Sequence, residues 1–239
     1  YPILNQNEQL AKAFLIEKNK ISTPIYSEVI VNSKVTNAVL NSYQLINSRA
    51  LLKKQIIYPT GTSDQLVHEI DDYDTNCNIK QSTGPDGIHI VSLNNLINNS
   101  IIAIFSNAVS SEVAYTSFEP GANGGIFISS PIREYSKSIT GRVSYNLQAG
   151  QITFSGANSN KQYKVVLWSD GAQPSVNGTI SGIEIAVRNG WHCYEYSISG
   201  SSLISISGTN IIDEVSICPV GTSFSSFYSE RSEEHTSEL

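Results

Sequence analysis

Asp72, Asp74, Asn76 and Asn78 stand at every second position of the stretch Asp71–Gly87, DDYDTNCNIKQSTGPDG. Alternating oxygen-bearing side chains are what a helix-flanked calcium loop offers a hard cation. Such a loop also needs Gly at its sixth position for the sharp turn and Glu at its twelfth as a bidentate ligand. Counted from Asp72, those positions hold Cys77 and Thr83, and no helical pattern flanks the stretch. The same residues suit a strand–turn unit better. The aromatic sits on a strand, Asp and Asn hydrogen-bond the turn backbone, and a Gly takes the left-handed position. Tyr73, Asp74 and Asn78, then Asp86 and Gly87, are placed for those roles.

Catalytic chemistry finds little support. His192 and Cys193 are adjacent in a strand-like run, so they point to opposite faces and cannot form a Cys–His pair. His68 and His89 flank polar turns, and His235 lies in the tail. No nucleophile elbow and no phosphate-binding glycine pattern occurs. A carboxylate pair for glycoside hydrolysis would have to be picked arbitrarily from scattered Asp and Glu. The expectation is a non-catalytic chain. Charged residues make up 15 % of its 239 residues, the net charge is −6, and no block of Lys or Arg offers a footprint for nucleic acid. No apolar run reaches the roughly 18 residues that would span a membrane as a helix. Of the three cysteines, Cys193 and Cys218 fall in strand-like runs, where they could pair or serve as small buried hydrophobes.

The elements that position these residues are mainly β. Residues 6–19 carry Leu10, Ala13, Phe14 and Ile16 near helical spacing, which predicts one short helix. The runs PIYSEVIVNSK, VLNSYQLINSRALLKKQIIY, QLVHEIDDYD, IHIVSL and SIIAIFSNA read as strands between polar turns; the second alternates imperfectly. From about Glu112, short strands recur every 8–12 residues: VAYTSFE, GRVSYNL, GQITFSG, YKVVLWSDG, WHCYEYSIS, SLISISG and IIDEVSICP. That spacing predicts an antiparallel β-sandwich. The closing strand is expected to set Ile212, Glu214 and Ser216 on one face and Ile211, Asp213 and Val215 on the other.

The motif Tyr73-Asp74, then Asn78-Ile79, then Asp86-Gly87 resembles the YD repeat of bacterial Rhs proteins, with Cys77 in the place of the usual Gly. If that place needs a left-handed backbone, Cys costs about 1 kcal/mol or more there. The order of segments resembles the same family: a helix, TPI, YSEVIV, IIYPTG, YDTNCNI and PDGIHIVS, then AYTSFE opening an inserted sandwich. The resemblance covers about residues 6–230. It implies an exported or cell-surface bacterial protein whose β-cage wraps a C-terminal toxin, with the rest of that shell as partner. The expected domains are a YD-repeat-like β region over 1–111, a sandwich over 112–220 and the start of a following repeat over 221–230, with Tyr228 in the aromatic place. The tail Arg231–Leu239, RSEEHTSEL, resembles the in-frame translation of a sequencing-library adapter.

The sandwich also resembles jelly-roll carbohydrate-binding modules, through SFE, YKVVLWSDG, Trp191 with Tyr194, and Ile212–Ile217. That implies a surface glycan as a second possible partner. Trp168, Tyr163, Tyr194 and Tyr196 are the candidates to stack on sugar rings; Trp191 is expected in the core between the sheets. In such modules the opening and closing strands often share a structural calcium, which Glu119 and Asp213 would hold here through oxygen ligands.

Overall fold

The computed structural model describes residues 6–18, 24–32, 34–59 and 65–227. Tyr228 and the tail Arg231–Leu239 lie outside them. The chain is mainly β and divides into two compact units, Tyr1–Val91 and Ser92–Leu239. The strand that the sequence places at the end of the YD-like region, SIIAIFSNA, therefore belongs to the same unit as the sandwich.

In the first unit a helix, α1 (Gln6–Glu17), precedes an antiparallel meander. Its strands are β1 (Tyr26–Val31), β2 (Lys34–Ile46), β3 (Arg49–Pro59), β4 (Gln65–Tyr73), β5 (Ile79–Thr83) and β6 (His89–Asn94), and the unit boundary falls within β6. Helix α1 contains no Gly or Pro and packs on β2 and β3. It buries Ala11 and Leu15, four residues apart on one face, and leaves Leu10 and Ile16 exposed. The apolar face read from the sequence is thus rotated. The long run Val39–Tyr58 is a hairpin closed by Asn47 and Ser48, both left-handed, as a two-residue loop matching strand twist requires. Its imperfect alternation has a local cause. Ser42 pairs with Lys54 and Tyr43 with Leu52, so Lys53 is an extra residue that shifts the pattern.

The second unit opens with β7 (Ile101–Ser106), followed by β8 (Ala114–Thr116), β9 (Asn123–Gly124), β10 (Phe127–Ile128), β11 (Tyr145–Asn146), β12 (Ile152–Phe154) and β13 (Gln162–Ser169). Then come β14 (Ser175–Val176), β15 (Ile183–Arg188), β16 (Trp191–Ser199), β17 (Ile204–Ser207), β18 (Ile211–Pro219) and β19 (Ser223–Ser226). The larger sheet runs β15-β16-β13-β18-β8-β9, with β11 also on β18; the smaller runs β10-β12-β17-β14. The core between them takes Tyr163, Val165 and Leu167 from β13 and Ile204 and Ile206 from β17, the alternate residues of each strand.

The sandwich is an insertion within a hairpin. Strand β19 folds back on β7, setting Ser223 opposite Ser106 and Phe224 opposite Phe105. The sandwich therefore leaves and re-enters one strand pair at adjacent points. Phe224 also lies 4.9 Å from the Phe105 ring and 5.7 Å from Tyr115, which ties that pair to the larger sheet.

Three expectations change. Strand β15 was not anticipated; it is an edge strand exposed along its whole length. On β18 the inward residues are Ile212, Val215 and Ile217, because Glu214 sits at φ +53° and breaks the alternation. Trp191 is buried, at 5 % exposure, but on the face of β16 opposite Tyr194 and Tyr196, outside the inter-sheet core.

Candidate functional site

The first candidate constellation is a pair of turns. Asp74 N–H donates to Asn78 O at 2.9 Å, and Cys77 N–H to Asp74 O at 3.0 Å. Ten residues on, Gly84 N–H donates to Ile88 O and Gly87 N–H to Gly84 O, both at 3.1 Å. The backbone pattern is the same. Cys77 at φ +67° corresponds to Gly87 at φ +76°. One oxygen of Asp74 accepts the amides of Asn76 and Asn78, and its other oxygen accepts the Asn78 side-chain amide at 2.9 Å. Asp86 accepts the Ile88 amide at 3.0 Å. Asp72 pairs with Lys80 at 3.0 Å. These carboxylates hold turns and strands rather than facing a common point. Tyr73 donates its hydroxyl to Leu52 O at 2.5 Å, and burial pushes its pKa up to about 12.

The aromatic quartet is divided by strand parity. Tyr163, Tyr194 and Tyr196 are buried, at 9 % exposure or less, and belong to the core. Tyr163 accepts the Asn158 amide at 2.9 Å and Tyr196 donates to Pro174 O at 2.5 Å. None of the three offers a ring face to a sugar, which corrects their assignment. Trp168 stands on the other face of β13, half-buried, flanked by Cys193 and Asp213 on the neighbouring strands. The cysteines are free. Cys193 pairs across to Trp168 and Cys218 to Lys164, on opposite sides of β13. They are offset by about 13 Å along the strand and about 10 Å across two strand spacings, beyond disulfide reach. Burial pushes both thiols up to about 11.

One segment links the two metal candidates, at an acidic knot. Strands β8 and β18 are neighbours, and Glu119, just beyond β8, lies within electrostatic reach of Glu214, the residue after Asp213. One segment, residues 139–143, satisfies these acids. Glu119 accepts the amides of Arg142 at 2.6 Å and Val143 at 2.8 Å. Asp213 accepts the amides of Ile139 at 3.0 Å, Thr140 at 3.4 Å and Glu214 at 2.8 Å. Glu214 accepts the hydroxyls of Thr140 and Tyr115, the latter at 2.6 Å. Burial, then the charge of Glu214, raises the Asp213 pKa to about 8; burial also raises Glu214. An all-oxygen acid cluster suits calcium in kind. The fit fails in detail: N–H and O–H donors point at these carboxylates where a cation would need their lone pairs. Among the described residues no three His, Cys, Asp or Glu side chains could hold a metal ion.

Two features were missed by sequence reasoning. Phe127 and Tyr135 are exposed at 67 % and 70 %, on the segment from β10 toward β11. The apolar run Ile126-Phe127-Ile128 was the available signal, because on a strand its middle residue faces away from the other two. The second is a His–carboxylate contact on each unit. His192 bonds Glu184 at 2.7 Å across β15 and β16. In the first unit His89 Nδ1 lies 2.8 Å from Thr83 Oγ1, which donates to Asp71 at 2.6 Å. A hydrolase triad uses both imidazole nitrogens, one for the nucleophile and one for the acid. Here Nδ1 alone faces both Thr83 and Asp71, the latter at 3.5 Å, so the relay geometry is missing.

No protein-family model and no curated protein sequence matches the chain.

Proposed function

We propose that this chain is a non-catalytic structural piece of a large exported or cell-surface bacterial protein of the Rhs/YD-repeat kind, contributing shell wall and carrying an inserted, binding-type β-sandwich. The observation that carries the reading is the pair of successive hairpin turns, Asp74–Asn78 and Gly84–Ile88, with one hydrogen-bond pattern and a left-handed residue at the same place. A repeating strand–turn unit needs that geometry, and a consecutive meander is its natural product. The sandwich, bracketed by the paired strands β7 and β19, supports insertion into such a wall. The test is to extend the source reading frame past codon 230 with long reads. A succession of Tyr-Asp-x-x-Gly repeats is expected. A frame that closes within a few codons overturns the reading.

A second reading, a secreted carbohydrate-binding protein, is favoured by the exposed rings of Phe127 and Tyr135 on a two-sheet sandwich. Retention of the full chain on immobilised glycans tests it; no retention on any glycan leaves a purely structural module.

A further inference from the structure

The sequence holds three Asn-Gly pairs: Asn123-Gly124, Asn177-Gly178 and Asn189-Gly190. We propose that Asn189 is a modification site, where the folded chain converts itself to a mixture of aspartate and isoaspartate with water as the only co-reactant, while the other two pairs are protected by the fold.

The step begins with attack of the Gly190 backbone nitrogen on the side-chain carbonyl carbon of Asn189. A new C–N bond closes a succinimide ring, and the bond from that carbon to Nδ2 breaks. Ammonia leaves, carrying the proton of the Gly190 amide. Water then opens the ring. Opening at the side-chain carbonyl gives aspartate, and opening at the backbone carbonyl gives isoaspartate. Nothing is oxidised or reduced. Glycine favours the attack because it has no side chain to crowd the nitrogen.

Two of the pairs share one backbone. Asn177 and Gly178 lie at φ +50° and +79°, Asn189 and Gly190 at φ +51° and +81°. Each forms a two-residue turn: Val176 and Thr179 bridge around the first, Arg188 and Trp191 pair around the second. The side chains make the difference. Asn177 Oδ1 accepts the Ser205 amide at 2.7 Å and its hydroxyl at 3.3 Å. Its Nδ2 donates to Ser201 Oγ and Leu203 O, both at 3.3 Å. The Asn177 carbonyl carbon cannot swing toward the Gly178 nitrogen without breaking these bonds. Asn123 and Gly124 form β9, paired with Thr116 and Tyr115. Asn123 Nδ2 donates to Ile126 O at 2.9 Å, and its Oδ1 is buried. Asn189 is exposed, and among the described residues its side chain makes no hydrogen bond. Its turn is open to water: nothing lies within 4 Å of where a Cβ on Gly190 would stand.

The products differ in consequence. Aspartate keeps the backbone and adds a negative charge beside Arg188. Isoaspartate routes the main chain through the former side chain, which lengthens a turn whose length sets the β15–β16 register. Strand β15 has only β16 as a neighbour in its sheet and is exposed along its length, so no other strand holds it.

The experiment ages the full chain in mildly alkaline buffer, folded and in parallel in denaturant. Digested peptides are weighed for amide-to-acid conversion, and electron-transfer fragmentation tells isoaspartate from aspartate. In denaturant the three pairs should convert at similar rates. In the folded chain Asn189 should convert about tenfold or more faster than Asn177 and Asn123, since at Asn177 several hydrogen bonds must break before the ring can close. Asn189→Gly keeps the turn, because glycine suits both left-handed positions. With an unchanged melt when fresh, it should lose the acidic form that ageing produces. Tryptic cleavage after Arg188 should rise with the isoaspartate fraction. Conversion of Asn177 or Asn123 in the folded chain as fast as Asn189 would overturn the protection. Conversion of Asn189 in denaturant alone would overturn the site. Cleavage after Arg188 that ignores the isoaspartate fraction would overturn the loosening of β15.

Discussion

The two units bury their apolar residues in different ways. In the second, inward residues of β13, β16, β17 and β18 meet between two sheets, and Tyr163, Tyr196, Ile204 and Ile206 are all but inaccessible. In the first, no described side chain of β3 is fully buried, and α1 contributes only Ala11 and Leu15. A sandwich closes its own core because each sheet covers the other. A single meander with one short helix leaves most of its side chains half-exposed, and its order depends more on turns and ladders. Core truncation should therefore dominate in one unit and turn chemistry in the other.

The largest expected effect breaks that contrast if it fails. Tyr196→Ala should cost the sandwich about 3–5 kcal/mol, the range for deleting a buried aromatic. Ile57→Ala on half-exposed β3 should cost about 1 kcal/mol. Equal losses in denaturant melts would mean that the first unit is as tightly packed as the second.

Next in size is the acidic knot. Asp213 has a folded pKa of about 8 against an ordinary 3.8. The folded chain keeps a proton that the unfolded chain has released, so this contribution to stability is full below about 3.8 and is lost as pH rises through about 8. Glu214, also raised, acts in the same direction. Asp213→Asn should keep the Ile139 and Thr140 amides on its carbonyl oxygen, lose the Glu214 amide that bonds the other oxygen, and remove the charge. Its melting temperature relative to the wild type should therefore rise from pH 4 to pH 8. An unchanged pH profile would mean that Asp213 does not titrate in this range.

The turns sharpen the other side of the comparison. Cys77→Gly should stabilise the first unit by about 1 kcal/mol, because the backbone is already left-handed there. Gly87→Ala should destabilise the matching turn by a similar amount. If both changes are neutral in chemical denaturation, the turns do not limit that unit. The smallest expected effect is that of calcium. With donors filling Glu119 and Asp213, millimolar calcium or a chelator should leave the melting temperature unchanged. A rise with calcium would show residues 139–143 turning carbonyl oxygens to an ion.

Much of the strand content was legible because alternation is a local property. QYKVVLWS and SLISIS display their inward residues in sequence, and Gly, Asn and Asp mark the turns. The split of the aromatic quartet was legible too: Tyr163 and Trp168 are five apart on one strand, and an odd spacing puts them on opposite faces. The rotated face of α1 was not, since the sheet beneath a helix decides which of its apolar residues is covered. Nor was β15, whose apolar residues never meet a second layer. The broken alternation of β18 comes from one left-handed residue, Glu214, whose backbone no propensity demands.

The sequence by itself determined a mainly β chain, the turn at Asp74 and the strands of the sandwich other than β15, because each follows from neighbours a few residues apart. Tertiary structure alone decided that Tyr194 and Tyr196 are core, that Cys193 and Cys218 lie too far apart to bond, and that residues 139–143 satisfy Glu119 and Asp213. Each of these depends on which strand lies beside which, and that is set by the burial of the whole core rather than by any short stretch of chain.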